Sequence, residues 1–77
     1  MPLELLGTSG CHLCDAARTI VTEALEQRSG HLAIHEIDIA QNSVLLNDFG
    51  TRIPVLRYRD HILFWPFDVT RVLEILD

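Results

Sequence analysis

Seventy-seven residues, 48% of them hydrophobic, suffice for one compact core and are too apolar for a disordered chain, so a single domain over residues 1–77 is expected. Six arginines and no lysine stand against eleven acidic side chains, and a formal charge of -5 argues against a phosphate-binding surface, so no nucleic-acid partner is expected. No basic stretch precedes a long apolar run at the start, where Glu4 and Gly7 interrupt Leu3, Leu5 and Leu6; neither signal peptide nor membrane span is expected, and the reading is a cytoplasmic protein with no membrane partner.

Leu3 to Thr8 reads as a first strand, short and apolar enough to be central. Ser9-Gly10 breaks it. The segment from about Cys11 to Arg28 then carries apolar residues at Leu13, Ala16, Ala17, Ile20, Val21, Ala24 and Leu25, the spacing of a long helix, with Gly30 as its stop. Leu32 to Ile39 is a β-branched, apolar-rich run whose alternation changes phase between Ile34 and Ile37, which predicts a strand covered on both faces or broken by a bulge. Asn42 or Ser43 caps a short helix carrying Val44, Leu45, Leu46 and Phe49, ended by Gly50.

Val55 to Arg59 and His61 to Phe64 read as two strands joined tightly at Arg59-Asp60, hence an antiparallel hairpin. Asp68 caps the last helix, with Phe67 before the cap and Val72 four residues inside it as a hydrophobic staple, and Val69, Val72, Leu73 and Leu76 form its core stripe. The order is β-α-β-α-β-β-α. A right-handed crossover makes the first two strands parallel, and the hairpin extends the same four-stranded mixed sheet with helices on both faces, an α/β architecture.

The whole thiol inventory is Cys11-His12-Leu13-Cys14. A bridge across so short a loop stabilises by only about 2 kcal/mol before strain, against roughly 3 for a fifteen-residue loop, so chemistry is the stronger reason for the pair. Cys11 falls where the first strand turns into the long helix, facing unpaired backbone N–H groups and the positive end of the helix dipole. There the thiolate is favoured over an ordinary thiol of pKa about 8.5. Cys14, one turn deeper, is placed to attack a mixed disulfide on Cys11, making Cys11 the nucleophile and Cys14 the resolving thiol. His12 between them either modulates the anion when protonated or is a solvated first-turn histidine. Asp15 suits a helix start and is no catalytic acid.

Ile53-Pro54 immediately precedes the third strand, and this element order brings that loop beside the cysteines. Thr51-Arg52-Ile53-Pro54 resembles the cis-proline loop of thioredoxins and glutaredoxins, whose backbone pairs with a substrate chain; the alternative is a trans proline that starts an edge strand. Together, element order, Cys-x-x-Cys and proline loop resemble a short bacterial glutaredoxin-like protein of the thioredoxin-fold superfamily across essentially the whole chain. The resemblance implies a thiol-disulfide oxidoreductase with Cys11 as nucleophile, Cys14 as resolving thiol, and Ile53 and Pro54 lining the substrate groove.

Departures concern glutathione. Glutaredoxins typically carry Pro-Tyr between the cysteines, a lysine upstream and Gly-Gly before the last helix. This chain has His12-Leu13, Thr8-Ser9-Gly10 and Phe64-Trp65-Pro66-Phe67 there. Arg52 is then the candidate to hold one glutathione carboxylate, and Asp68 with the last helix N-terminus the opposite end. Trp65, Phe64 and Phe67 either rim a site for a protein substrate or plug the hairpin onto the last helix, the plug being the expectation for Phe64 and Phe67. No tightly bound cofactor is expected. Protein or small-molecule disulfides are the expected substrates of a monomer, with glutathione a candidate co-substrate and glutathione or a thioredoxin reductase as electron donor.

Two other classes stay open. Cys11 and Cys14 are only two of the four ligands zinc prefers, and His31 and His35 lie about 13 Å apart if extended on a strand, so no metal site is assigned. An iron-sulfur cluster shared between two chains through Cys11 is the related alternative. The third class is a non-enzymatic adaptor that keeps the fold and binds peptides.

Overall fold

The structure, a computed structural model, describes residues 2–28 and 32–76. Its elements are β1 (Leu3–Gly7), α1 (His12–Gln27), β2 (Ile34–Asp38), a 3-10 turn (Ile39–Gln41), α2 (Ser43–Phe49), β3 (Val55–Tyr58), β4 (His61–Phe64) and α3 (Val69–Leu76). The sheet order is β2-β1-β3-β4, with β1 parallel to β2 and the other neighbours antiparallel. β1 is therefore internal, which explains its apolar run: Leu3, Leu5 and Leu6 are all buried.

Alternation along β1 divides the core between two faces. Leu3 and Leu5 join Ala17, Val21 and Ala24 of α1 and Val72, Ile75 and Leu76 of α3. Leu6 turns the other way, against Val55 and Ile39, with Leu45 and Phe49 of α2 packed on them. The phase change in β2 has the same origin. Ile34 packs on the α1 and α3 side and Ile37 on the α2 side, while the register runs unbroken from Leu3↔Ile34 to Gly7↔Asp38, so no bulge intervenes.

Helix α1 buries Cys14, Ala17, Val21 and Ala24, a narrower stripe than the sequence spacing suggests; Leu13 is 51% exposed and Ala16 is exposed too. The proposed stop at Gly30, like His31, lies outside the described residues. β2 ends earlier than expected because Asp38 caps the 3-10 turn, accepting from the Ala40 N–H at 2.9 Å, and the turn buries Ile39. Asn42, not Ser43, caps α2, accepting from the Leu45 N–H at 3.0 Å. At the hairpin, Tyr58↔His61 brackets Arg59-Asp60, and Arg59 adopts φ +54°, the left-handed region typical of two-residue hairpin turns. Asp68 caps α3 through the Arg71 N–H at 2.8 Å, and Phe67 and Val72 close the staple within one core cluster. Among the described residues no helix is long and apolar enough to cross a membrane.

Candidate functional site

Strand directions gather the candidate segments. β1 runs toward Gly7, and β2, parallel to it, ends at Asp38 on the same edge of the sheet. Antiparallel β3 begins there, with Val55 opposite Leu6, and β4 ends there, with Phe64 opposite Val55. The cysteine loop 8–11, the proline loop 51–54 and the loop 65–68 therefore share one end of the sheet.

Cys11 is the N-cap of α1, with extended backbone (φ -90°, ψ 108°). Its sulfur, in place of the usual cap oxygen, accepts the Cys14 N–H at 3.2 Å, and its carbonyl accepts the Asp15 N–H at 3.2 Å. The Cys11 and Cys14 sulfurs are joined as a disulfide, with Cα atoms 5.2 Å apart. The two are unequally placed: Cys11 is half-buried and Cys14 only 4% exposed.

Gly7 makes the buried position available. A Cβ on Gly7 would lie 2.7 Å from the Cys14 sulfur, so the strand comes this close only because that atom is absent. Gly10, with φ +75°, then turns the chain into the helix.

The Ile53-Pro54 peptide is cis, and Pro54 is fully buried. Its carbonyl accepts the Trp65 N–H at 3.2 Å, tying the two loops together, and Ile53 packs beneath on the α2 side. Trp65-Pro66 is a second cis peptide, which the sequence reading did not anticipate. Trp65 is half-buried, edge-on to Phe67 at 5.1 Å between centroids. Phe67 seats the hairpin on α3 as expected. Phe64 does not: it is 41% exposed on the opposite face, because Leu63 takes the inward position and the strand's two-residue period turns Phe64 away. There it meets Phe49 at 6.3 Å and lies under the Arg52 guanidinium, 4.9 Å from the ring centroid. Arg52 has no ion pair among the described residues. Asp68 is occupied as the α3 cap, and His12 is exposed in the first turn of α1.

A pocket of about 220 Å³ adjoins Cys14 on the β2 side, lined also by Gly7, Thr8, Arg18, Glu36 and Asp38. Arg18 spans it, bonding Glu36 at 2.6 and 2.8 Å and Asp15 at 2.8 Å. Glu36 first, then Asp15, hold its guanidinium above its ordinary value. The sequence reading missed this group; its only signals were a glycine at a strand end and acids two apart on β2. Among the described residues no three His, Cys, Asp or Glu side chains converge to hold a metal, and His35 is exposed on β2.

The family model described as "Glutaredoxin-like domain (DUF836)" matches residues 2–77. The X-ray structure of a structural genomics target protein from X. campestris is 36% identical, with a TM-score of 0.80 over 96% of this chain and 93% of that one. The solution structure of the same target is 34% identical, with a TM-score of 0.79 over 99% and 92%. Thioredoxin 1 from Thermosipho africanus TCF52B, at 17% identity and a TM-score of 0.70 over 99% and 90%, shares the fold. No curated protein matches the chain.

Proposed function

The chain belongs to the glutaredoxin-like domain family, and from that premise we propose that it is a thiol-disulfide oxidoreductase. The observation that carries the reading is the Cys11 sulfur acting as helix N-cap above a buried Cys14. A sulfur that accepts a backbone N–H at the positive end of a helix is stabilised as an anion, and the anion is the nucleophile. Burial disfavours the anion at Cys14 and leaves attack on an incoming disulfide to Cys11.

In the cycle, the Cys11 thiolate attacks a substrate disulfide and one substrate sulfur leaves as thiolate. Cys14 then attacks Cys11 in the mixed disulfide, and the Cys11–substrate bond breaks. The protein pair is oxidised to the disulfide and the substrate reduced to two thiols. An external thiol must restore the dithiol. Glutathione fits that part if Arg52, held on the Phe64 ring, receives one of its carboxylates and Asp68 its amino end; a thioredoxin reductase is the other donor. Ile53 and Trp65, positioned by the buried Pro54 between them, form the wall for a protein or small-molecule disulfide, and His12 modulates the anion from the first turn. A reducing cytoplasm suits this cycle.

The test is pH-dependent alkylation of the reduced protein with mass mapping of the modified sulfur. Cys11 is expected to react first, with a midpoint at or below about 7.5 against about 8.5 for a free thiol, and Cys14→Ser to accumulate a mixed disulfide on Cys11. Equal alkylation rates at the two sulfurs at neutral pH would overturn the assignment.

A further inference from the structure

Resolution of the mixed disulfide requires a thiol to lose its proton in a place that disfavours its anion: Cys14 is buried, its sulfur pressed against the backbone of Gly7. The pocket on the β2 side is where that proton can leave. Its volume, about 220 Å³, far exceeds the roughly 10–15 Å³ a single water requires, and Thr8, Ser9, Arg18, Glu36 and Asp38 give its lining polar partners for water.

The register of the sheet identifies the facing group. Gly7 pairs with Asp38 and Leu5 with Glu36 across the parallel β1–β2 ladder, and paired residues on neighbouring strands project from the same face. Gly7 points its missing side chain at the Cys14 sulfur, so Asp38 rises from that same face one strand away, about 4.8 Å across the sheet. Nothing at position 7 stands between them. The other charged groups on the pocket are Arg18 from α1 and Glu36 from β2: two Arg18 bonds go to one Glu36 oxygen and a third to Asp15 at the rim, so the Glu36 charge is neutralised by a guanidinium, whereas Asp38 faces no cation among the described residues. Asp38 uses one oxygen to cap the Ala40 N–H, and its second oxygen has no hydrogen bond among the described residues.

We propose that Asp38 accepts, through water in this pocket, the proton that Cys14 gives up as it resolves the mixed disulfide. The Cys14 sulfur forms its bond to the Cys11 sulfur, the Cys11–substrate bond breaks with its electron pair leaving on the substrate sulfur, and the Cys14 proton passes by way of water to the Asp38 carboxylate and on to solvent. The inference rests on the thiol-disulfide reading above and adds the base for its second step.

A chromogenic aromatic disulfide separates the two steps in the full-length reduced protein. Attack by Cys11 releases one equivalent of aromatic thiolate and attack by Cys14 a second. Asp38→Asn keeps a carbonyl oxygen to accept the Ala40 N–H, so the turn survives while the base is lost. We expect the first release to be unchanged and the second to slow at least about tenfold at pH 7, rising with hydroxide until variant and wild type converge at high pH. Glu36→Gln is expected to have the smaller effect on the second release. A second release unaltered in Asp38→Asn, slowed by one constant factor at every pH, or slowed more by Glu36→Gln, overturns the inference alone. A wild-type first release no faster than that of a free thiol overturns the redox reading and the inference with it.

Discussion

The backbone of Gly7 and the sulfur of Cys14 are in such close contact that a methyl group on Gly7 would stand 2.7 Å from that sulfur and 3.3 Å from the Cys14 Cβ. Neither neighbour is the far end of a flexible chain, so one of the two elements must shift. Gly7→Ala is expected to destabilise the protein by about 1–3 kcal/mol, the usual cost of overpacking. Urea unfolding of the oxidised protein measures it, and an unchanged midpoint and slope would refute the contact's importance.

Glu4 and Arg57 are directly opposed across β1 and β3, with Arg57 donating to Glu4 Oε1 at 2.9 and 3.0 Å. The pair is less exposed than the Arg18 and Arg71 pairs, yet still partly solvated, so its contribution is modest. Glu4→Gln should cost about 0.5–1 kcal/mol, less at high salt. Thermal unfolding at two ionic strengths tests this; a loss above about 2 kcal/mol would mean the pair is effectively desolvated.

Helix α2 has no buried residue and holds to the sheet mainly through Leu45 and Phe49. By contrast α1 buries four side chains. Native-state hydrogen exchange should find α2 amides opening locally, well below the free energy at which β1 and α1 exchange. Equal protection in α1 and α2 would contradict this. Leu6→Ala, which removes a fully buried side chain beneath α2, should cost about 2–5 kcal/mol.

Arg52 rests on Phe64 with its charge uncompensated among the described residues. If it receives a carboxylate of glutathione, Arg52→Ala should weaken binding by about 1.5–3 kcal/mol, roughly ten- to hundredfold, as befits a charged hydrogen bond. Phe64→Ala should give a smaller loss, since it frees the guanidinium without removing it. Calorimetric titration with glutathione decides it: wild type and Arg52→Ala binding with equal affinity would remove Arg52 from the site.

What was legible in the sequence was local. The Cys11-x-x-Cys14 spacing at a strand-to-helix break, the Asp68 cap with its Phe67–Val72 staple and the proline before a strand all depend on residues a few positions apart. Pairing carried what was not legible. Whether Phe64 or Leu63 faces inward depends on which face of β4 the helices cover, and a four-residue strand is apolar enough to read either way. The nearness of Gly7 to Cys14, and of Asp38 to both, exists only once β2 lies parallel to β1 in one register. The β2 phase change signalled two covered faces, but not which isoleucine served which.

β1 has a partner on each side, β2 and β3, and covered faces above and below. The loop carrying Cys11 thus hangs from an internal strand covered on both faces, the part of the sheet expected to open last. On that expectation α2 can fray, or the outer hairpin strand loosen, while the Cys11 sulfur keeps its footing. On the proposed redox cycle, such a layout would let the rim adapt to differently shaped disulfides without blunting the attack at its centre.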